Sequence, residues 1–143
     1  MTGVLTLVST PIGNLGDLAP RAMKAFEEAD LVCCEDTRRT GSLLKQIGVR
    51  VDELRRLDDH TEFESIPIIL DRLVAGERVV LVSDAGTPGI SDPGERLVAA
   101  AIEAGVEITT VPGPVAAIAA LVSSGLPSGR FVFEGFLARK GQE

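Results

Sequence analysis

The sequence predicts an α/β fold: a five-stranded parallel sheet with helices on both faces. Three observations carry that prediction. Five short apolar runs alternate with stretches whose apolar residues recur at helical spacing. The connections are short, so each strand reaches the next through a right-handed helical crossover. Loops rich in glycine and proline follow the apolar runs, at the sheet edge where parallel α/β proteins open their binding crevice. A chain of 143 residues with 45% hydrophobic residues suffices for one domain with a substantial core.

Residues 4–8, Val-Leu-Thr-Leu-Val, form the first strand. A turn-rich loop follows, and Leu18, Ala22, Ala25 and Ala29 keep the period of a helix for which Asp17 is read as N-cap. Gly13 and Gly16 supply only half of the G-x-G-x-x-G dinucleotide fingerprint, and no G-K-[ST] marks a P-loop. The second strand is residues 31–34, and a helix from about 38 to 47 stops at Gly48. Residues 51–57 mix Leu54 and Leu57 with Arg55 and Arg56, which suits an edge strand. Thr61 and Glu64 have the spacing of a capping box, while Pro67 places the start of the regular helix near Ser65 or Ile66. Residues 79–82 are the fourth strand, 93–104 a helix, 108–111 the fifth strand and 115–123 an alanine-rich helix closed by Gly125. Residues 131–137 read as a sixth strand, whose Phe131, Phe133 and Phe136 need a covering partner.

The net charge of −7 opposes general nucleic-acid binding, which depends on neutralising phosphates with Lys and Arg, so any RNA contact must be local. Five phenylalanines, no tryptophan and no tyrosine leave no extended base-stacking platform. No apolar run reaches the roughly 18 residues of a membrane helix, and the first residues lack the features of a secretory signal; the expected address is cytoplasmic. Cys33 and Cys34 are adjacent, which disfavours their pairing, and no second pair stands at metal-ligand spacing; two buried free thiols and no metal site are expected.

Chemistry concentrates at three strand exits. Residues 81–94 carry three glycines, two prolines, Asp84 and Asp92; glycine admits close backbone approach and proline holds a loop in one shape. A turn in which Ser91 or Asp92 caps a helix beginning at Pro93 explains only the last few of these residues. Glu35, Asp36, Thr37, Arg38, Arg39 and Thr40 place two carboxylates, two guanidiniums and two hydroxyls at the exit of the second strand, where they serve either a ligand or a solvated helix start. Pro112, Gly113 and Pro114 precede a helix whose free N–H groups at 115–117 suit an anion.

SDAGTPGISDPG at 83–94, Thr10-Pro11-Ile12-Gly13-Asn14-Leu15, Glu35-Asp36-Thr37-Arg38, Pro112-Gly113-Pro114 and Phe133-Glu134-Gly135-Phe136-Leu137 together resemble the tetrapyrrole methylase superfamily. Within it they are similar to the small-subunit ribosomal RNA cytidine-2′-O-methyltransferases. The resemblance implies strand order 3-2-4-1-5 and S-adenosylmethionine held between two domains. It also implies donor contacts at Pro11, Ile12, Asp84, Ala85, Gly86, Thr87, Ile90, Pro114, Val115 and Ala116. Glu35, Asp36 and Asp17 are the candidate bases for the ribose hydroxyl, with no choice among them, and Arg38 and Arg39 are the candidate contacts to small-subunit ribosomal RNA. Thr61 stands where that family usually has asparagine, which leaves His60 and Glu62 without assigned roles. Dimers are common in the superfamily. On this reading residues 1–126 are the donor-binding domain, and residues 127–143 are a hinge and the start of a second domain without which no methyl is transferred. Two other functions stay open: methylation of a tetrapyrrole or other small acceptor, and non-catalytic nucleotide binding.

Overall fold

The computed structural model describes residues 1–140. Among them a five-stranded sheet has the order β3-β2-β4-β1-β5, with every pairing parallel. The strands are β1 (Val4–Val8), β2 (Leu31–Cys34), β3 (Leu54–Arg56), β4 (Arg78–Leu81) and β5 (Glu107–Val111). The helices are α1 (Pro20–Glu27), α2 (Thr37–Ile47), α3 (Glu62–Val74), α4 (Glu95–Glu103) and α5 (Ala116–Ser123). The predicted order and the edge position of β3 are both found.

Alternation along the strands sorts the core into two layers. Leu31, Cys33, Val79 and Leu81 face one side and pack with Ile69 and Leu73 of α3 and Leu97 and Ala101 of α4. Val32, Cys34, Val80 and Val82 face the other and pack with Ala22 and Phe26 of α1 and Leu44 of α2. Both cysteines are free and fully buried. Burial pushes the Cys33 thiol up to about 12, so it stays protonated and unreactive at neutral pH.

Several element boundaries differ from expectation for local reasons. Asp17 is not the cap of α1. Asn14 instead accepts from the Gly16 N–H to begin a short 3-10 turn at Leu15–Asp17, and α1 starts at Pro20, whose ring needs no N–H partner there. Thr61 and Glu64 do not form the capping box. The Thr61 hydroxyl accepts from the Asp58 N–H, while Asp58 Oδ1 accepts from the N–H groups of His60 and Thr61. That reciprocal lock starts α3 at Glu62, and Pro67 is accommodated inside it. Proline there removes the bond to the carbonyl of Phe63, a residue that is exposed to water. Neither Ser91 nor Asp92 caps α4, which begins at Glu95 with Gly94 as its N-cap residue.

Residues 131–137 are not a sixth strand. A strand needs a neighbour to take its backbone hydrogen bonds, and the described residues offer none beside this segment. It runs instead without regular structure, folded back so that Phe133 reaches the crevice at the carboxyl edge of the sheet.

Candidate active site

Three loops meet at the carboxyl edge, and Thr87 holds them together. Its hydroxyl donates to the carbonyl of Pro114 (3.1 Å) and lies 2.8 Å from Ser9 Oγ. A threonine hydroxyl has one proton to give, so the Ser9 hydroxyl must be the donor to Thr87. The loops after β1, β4 and β5 are thereby joined through one side chain. A second clasp is the antiparallel bridge between Thr10 and Gly86, with paired N–H to carbonyl bonds of 3.0 and 3.1 Å. Gly86 sits at φ +81°, open to glycine at little cost, and a Cβ at Gly113 would come within 2.9 Å of the Ser9 Cβ. Glycine thus serves a positive φ at Gly86 and close packing of Gly113 on Ser9.

Around this knot lie three cavities. The first, of about 160 Å³, is apolar and lined by Ile12, Ala85, Gly86, Thr87, Ile90, Asp92, Val115, Ala116, Ala117 and Phe133. It gathers most of the residues expected to bind the donor. Pro114 joins it only through its carbonyl on Thr87. No side chain caps α5, which begins at this cavity, so its first N–H groups and the positive end of its dipole are available to an anion.

The second cavity, of about 290 Å³, is polar and lined by Glu35, Asp36, Thr37, Arg38, Arg56 and Asp84. Asp36 is committed to the fold. Its Oδ1 accepts from the Arg38 N–H at 2.9 Å as the N-cap of α2, which, with the Arg38 guanidinium, holds the carboxyl below its usual range. Glu35 is opposite in character: partial burial, followed by the charges of Asp84, Asp92, Asp59 and Asp58, raises its pKa. Asp92 is raised likewise, by burial and then by Asp84.

The third cavity, of about 410 Å³, lies between the first loop and α2 and is lined by Thr10, Pro11, Gly13, Asn14, Leu15, Arg39, Ser42, Leu43, Gln46 and Asp84. Asp84 is thus common to the second and third cavities and lies outside the first. Its Oδ1 accepts from the Asp36 N–H at 3.1 Å, and its Oδ2 stands 3.9 Å from Arg39 Nε. Asp17 is exposed and lines none of the three.

Sequence reasoning missed Glu62. It is buried, and its Oε1 accepts from the N–H groups of Gly94 and Leu97, both at 3.2 Å, closing the start of α4 from 32 residues away. Arg56, at the end of the edge strand, was read only as an edge charge; its position at a strand exit was the available signal.

Comparison with known proteins decides the family. The family model for Tetrapyrrole (Corrin/Porphyrin) Methylases matches residues 4–143. The chain belongs to that family. Among curated relatives, one from Synechocystis sp. named "Ribosomal RNA small subunit methyltransferase I" is 51% identical over 98% of this chain and 50% of its own length. Proteins of the same name from Xylella fastidiosa (54% identical, 96% of this chain, 50% of the relative) and Escherichia coli O157:H7 (48%, 98% and 49%) are similar. The chain spans about half the length of the curated relatives it matches. A crystal structure of uroporphyrin-III-C-methyltransferase from Thermus thermophilus superposes with a TM-score of 0.64 at 24% identity, covering 89% of this chain and 55% of that one, and shows the shared fold.

Proposed function

We propose that this chain is the donor-binding half of an S-adenosylmethionine-dependent methyltransferase acting on a cytidine ribose 2′-hydroxyl of small-subunit ribosomal RNA. The observation that carries the reading is the apolar cavity at the Thr87 knot, opening beside the acidic and basic cluster of the second loop, in a chain about half identical to relatives named for small-subunit ribosomal RNA methylation. The lining fits part of the donor: about 160 Å³ is below the roughly 300 Å³ of a complete small-molecule site, and on this proposal the second domain supplies the rest. Ile12, Ile90, Val115 and Ala116 offer apolar walls, Ala85 and Gly86 admit the ligand close to backbone, and the uncapped start of α5 suits its carboxylate. When bound, that group supplies an electrophilic methyl on a positively charged sulfur.

The chain's own residues then orient the reactants and manage one proton. Holding donor and hydroxyl in line supplies most of the acceleration available to such a transfer. Of the three candidate carboxylates, Glu35 is the base that the electrostatics favour, since a raised pKa brings it closer to the working pH. Asp36 is spent on the helix cap, and Asp17 is exposed and lines none of the three cavities. Arg38, whose side chain is 93% exposed, with Arg56 beside the polar cavity, supplies the local positive charge that RNA phosphate requires, whereas Arg39 lines the third cavity, 3.9 Å from Asp84.

Residues 1–126 form the donor domain on this proposal, and residues 127–143 lead into a second domain that provides the other wall of the cleft. The enzyme works in the cytoplasm as a homodimer, with the exposed apolar residues Ile118, Val122 and Leu126 available for burial in that assembly. The test is methyl transfer from labelled donor to small ribosomal subunits by the 143-residue chain and by a chain extended to the relatives' length. Transfer by the long form alone is expected. Equal turnover by the short form ends the two-domain reading, and no turnover by either ends the ribosomal assignment.

A further inference from the structure

We propose that the cavity of about 410 Å³ between the first loop and α2 is the pocket for the unpaired base of the acceptor nucleotide. The inference rests on the methyl-transfer reading above and assigns residues that it leaves without a task. Its volume falls within the roughly 300–1,000 Å³ of small-molecule sites.

The lining carries the assignment, and the first loop enters it with an unsatisfied hydroxyl at Thr10. Thr10 is 1% exposed, and its hydroxyl oxygen has no hydrogen-bond partner among the described residues. A buried hydroxyl left unpartnered costs about 1–3 kcal/mol, and because this oxygen is closed off from the cavity, a ligand relieves that cost only with a local shift of the first loop. The rest of the lining indicates what that ligand is. Pro11, Leu15 and Leu43 supply apolar surface, while Asn14, Ser42 and Gln46 supply neutral polar groups. Asn14 Oδ1 is taken by the Gly16 N–H, which leaves its amide NH₂ as a donor, and the Gln46 NH₂ meets Ser42 Oγ at 3.4 Å, which leaves its carbonyl as an acceptor. The charges of Arg39 and Asp84 offset one another at 3.9 Å, so the pocket offers no net positive charge to a phosphate. Apolar walls with a neutral edge of donors and acceptors suit a nucleobase.

Position supports the same assignment. The steps Pro11 to Ile12 and Asp84 to Ala85 each carry one residue lining this cavity and one lining the donor cavity. Consecutive residues are about 3.8 Å apart, so a base here holds its ribose at the boundary between the two. A paired base cannot enter such a pocket, which implies a looped or extruded nucleotide.

The experiment follows backbone amide signals of the 143-residue chain by NMR while cytidine, inorganic phosphate and S-adenosylhomocysteine are added separately. Cytidine is expected to shift Asn14, Leu15, Ser42 and Gln46, S-adenosylhomocysteine to shift Ala85, Gly86, Thr87 and Ala116, and phosphate to leave the first group unmoved. Gln46→Ala, at an exposed position, should weaken cytidine about fivefold, the worth of one ordinary hydrogen bond, and leave S-adenosylhomocysteine unchanged. Leu43→Trp should block cytidine alone. Cytidine shifts elsewhere, no cytidine shifts, phosphate shifts in this cavity, or cytidine affinity unaltered in both variants would each overturn the pocket. Failure of S-adenosylhomocysteine with cytidine still bound would instead remove the donor reading.

Discussion

Helices α4 and α5 each follow a strand through a loop of glycine and proline, α4 after the central β4 and α5 after the edge strand β5, yet the fold finishes one and leaves the other open. Leu97 and Ala101 of α4 are fully buried against α3 and the sheet, and Glu62 closes its first turn. α5 has no buried residue, no side-chain cap, and exposed Ile118 and Val122. Apolar content does not predict which is covered: α4 carries Glu95, Arg96 and Glu103 and is packed, whereas α5 has no charged residue and is the more exposed. A helix end that the fold closes belongs to stability, and one left open at a cavity is free for a ligand.

Substitutions sharpen that contrast. The largest effect is expected from Leu97→Ala, which leaves a cavity in the α3–α4 layer and should cost about 2–5 kcal/mol in urea unfolding, whereas Val122→Ala in α5 should change stability by less than about 0.5 kcal/mol. Next comes Glu62→Ala, which strands two buried N–H groups and should cost about 1–3 kcal/mol while leaving S-adenosylhomocysteine affinity unchanged by calorimetry. A Glu62→Ala chain of parental stability would mean that α4 is held by packing alone.

The distinction was partly legible beforehand. The alternation of apolar runs with helical stretches indicated a parallel sheet with helices on both faces, and the glycine-proline loops marked the crevice edge. Glu62 was not legible as a cap because its partners lie 32 and 35 residues ahead, and nothing local in Thr61-Glu62-Phe63 signals them. The Thr87 knot spans 78 residues to Ser9 and 27 to Pro114, so threonine was recognisable as a loop residue but not as the tie. Asp17 was misread because periodicity began at Leu18, while the stronger start signal was Pro20 at the first helical position. The phenylalanines of residues 131–137 have the pattern of a strand, but pattern does not supply the neighbour that a strand requires.

Smaller effects probe the open side. Thr87→Val keeps shape and removes the hydroxyl that joins three loops; a loss of about 1–2 kcal/mol in S-adenosylhomocysteine affinity is expected, read by calorimetry. Asp84→Ala tests a boundary residue rather than a core one. It should weaken donor binding at unchanged melting temperature, and unchanged affinity would confine Asp84 to the second and third cavities, which it lines. In a chain extended to the relatives' length, Arg38→Ala should lower the salt dependence of RNA binding by about one unit of slope and spare the donor.

Glu35 gives the smallest change, as a pH dependence. Its pKa is raised in the fold above the ordinary 4.5, so its contribution to stability is fully present below that value and is lost as pH rises through the raised pKa. Glu35→Gln should therefore match the parent in acid and gain on it as pH rises through that window, in melting temperatures taken from about pH 4 to about pH 7. A constant difference across the range would mean that Glu35 is not perturbed.

The central claim is that the crevice at the open end of α5 holds the methyl donor. Calorimetric titration of S-adenosylhomocysteine and of ATP into the parent chain and into Ala116→Trp tests it most directly, since Ala116 is exposed, lines the apolar cavity and takes no part in the core. Binding of S-adenosylhomocysteine but not ATP to the parent, abolished by Ala116→Trp at unchanged melting temperature, is the predicted result. ATP binding as tight as S-adenosylhomocysteine, or a donor affinity that Ala116→Trp leaves intact, would contradict the account.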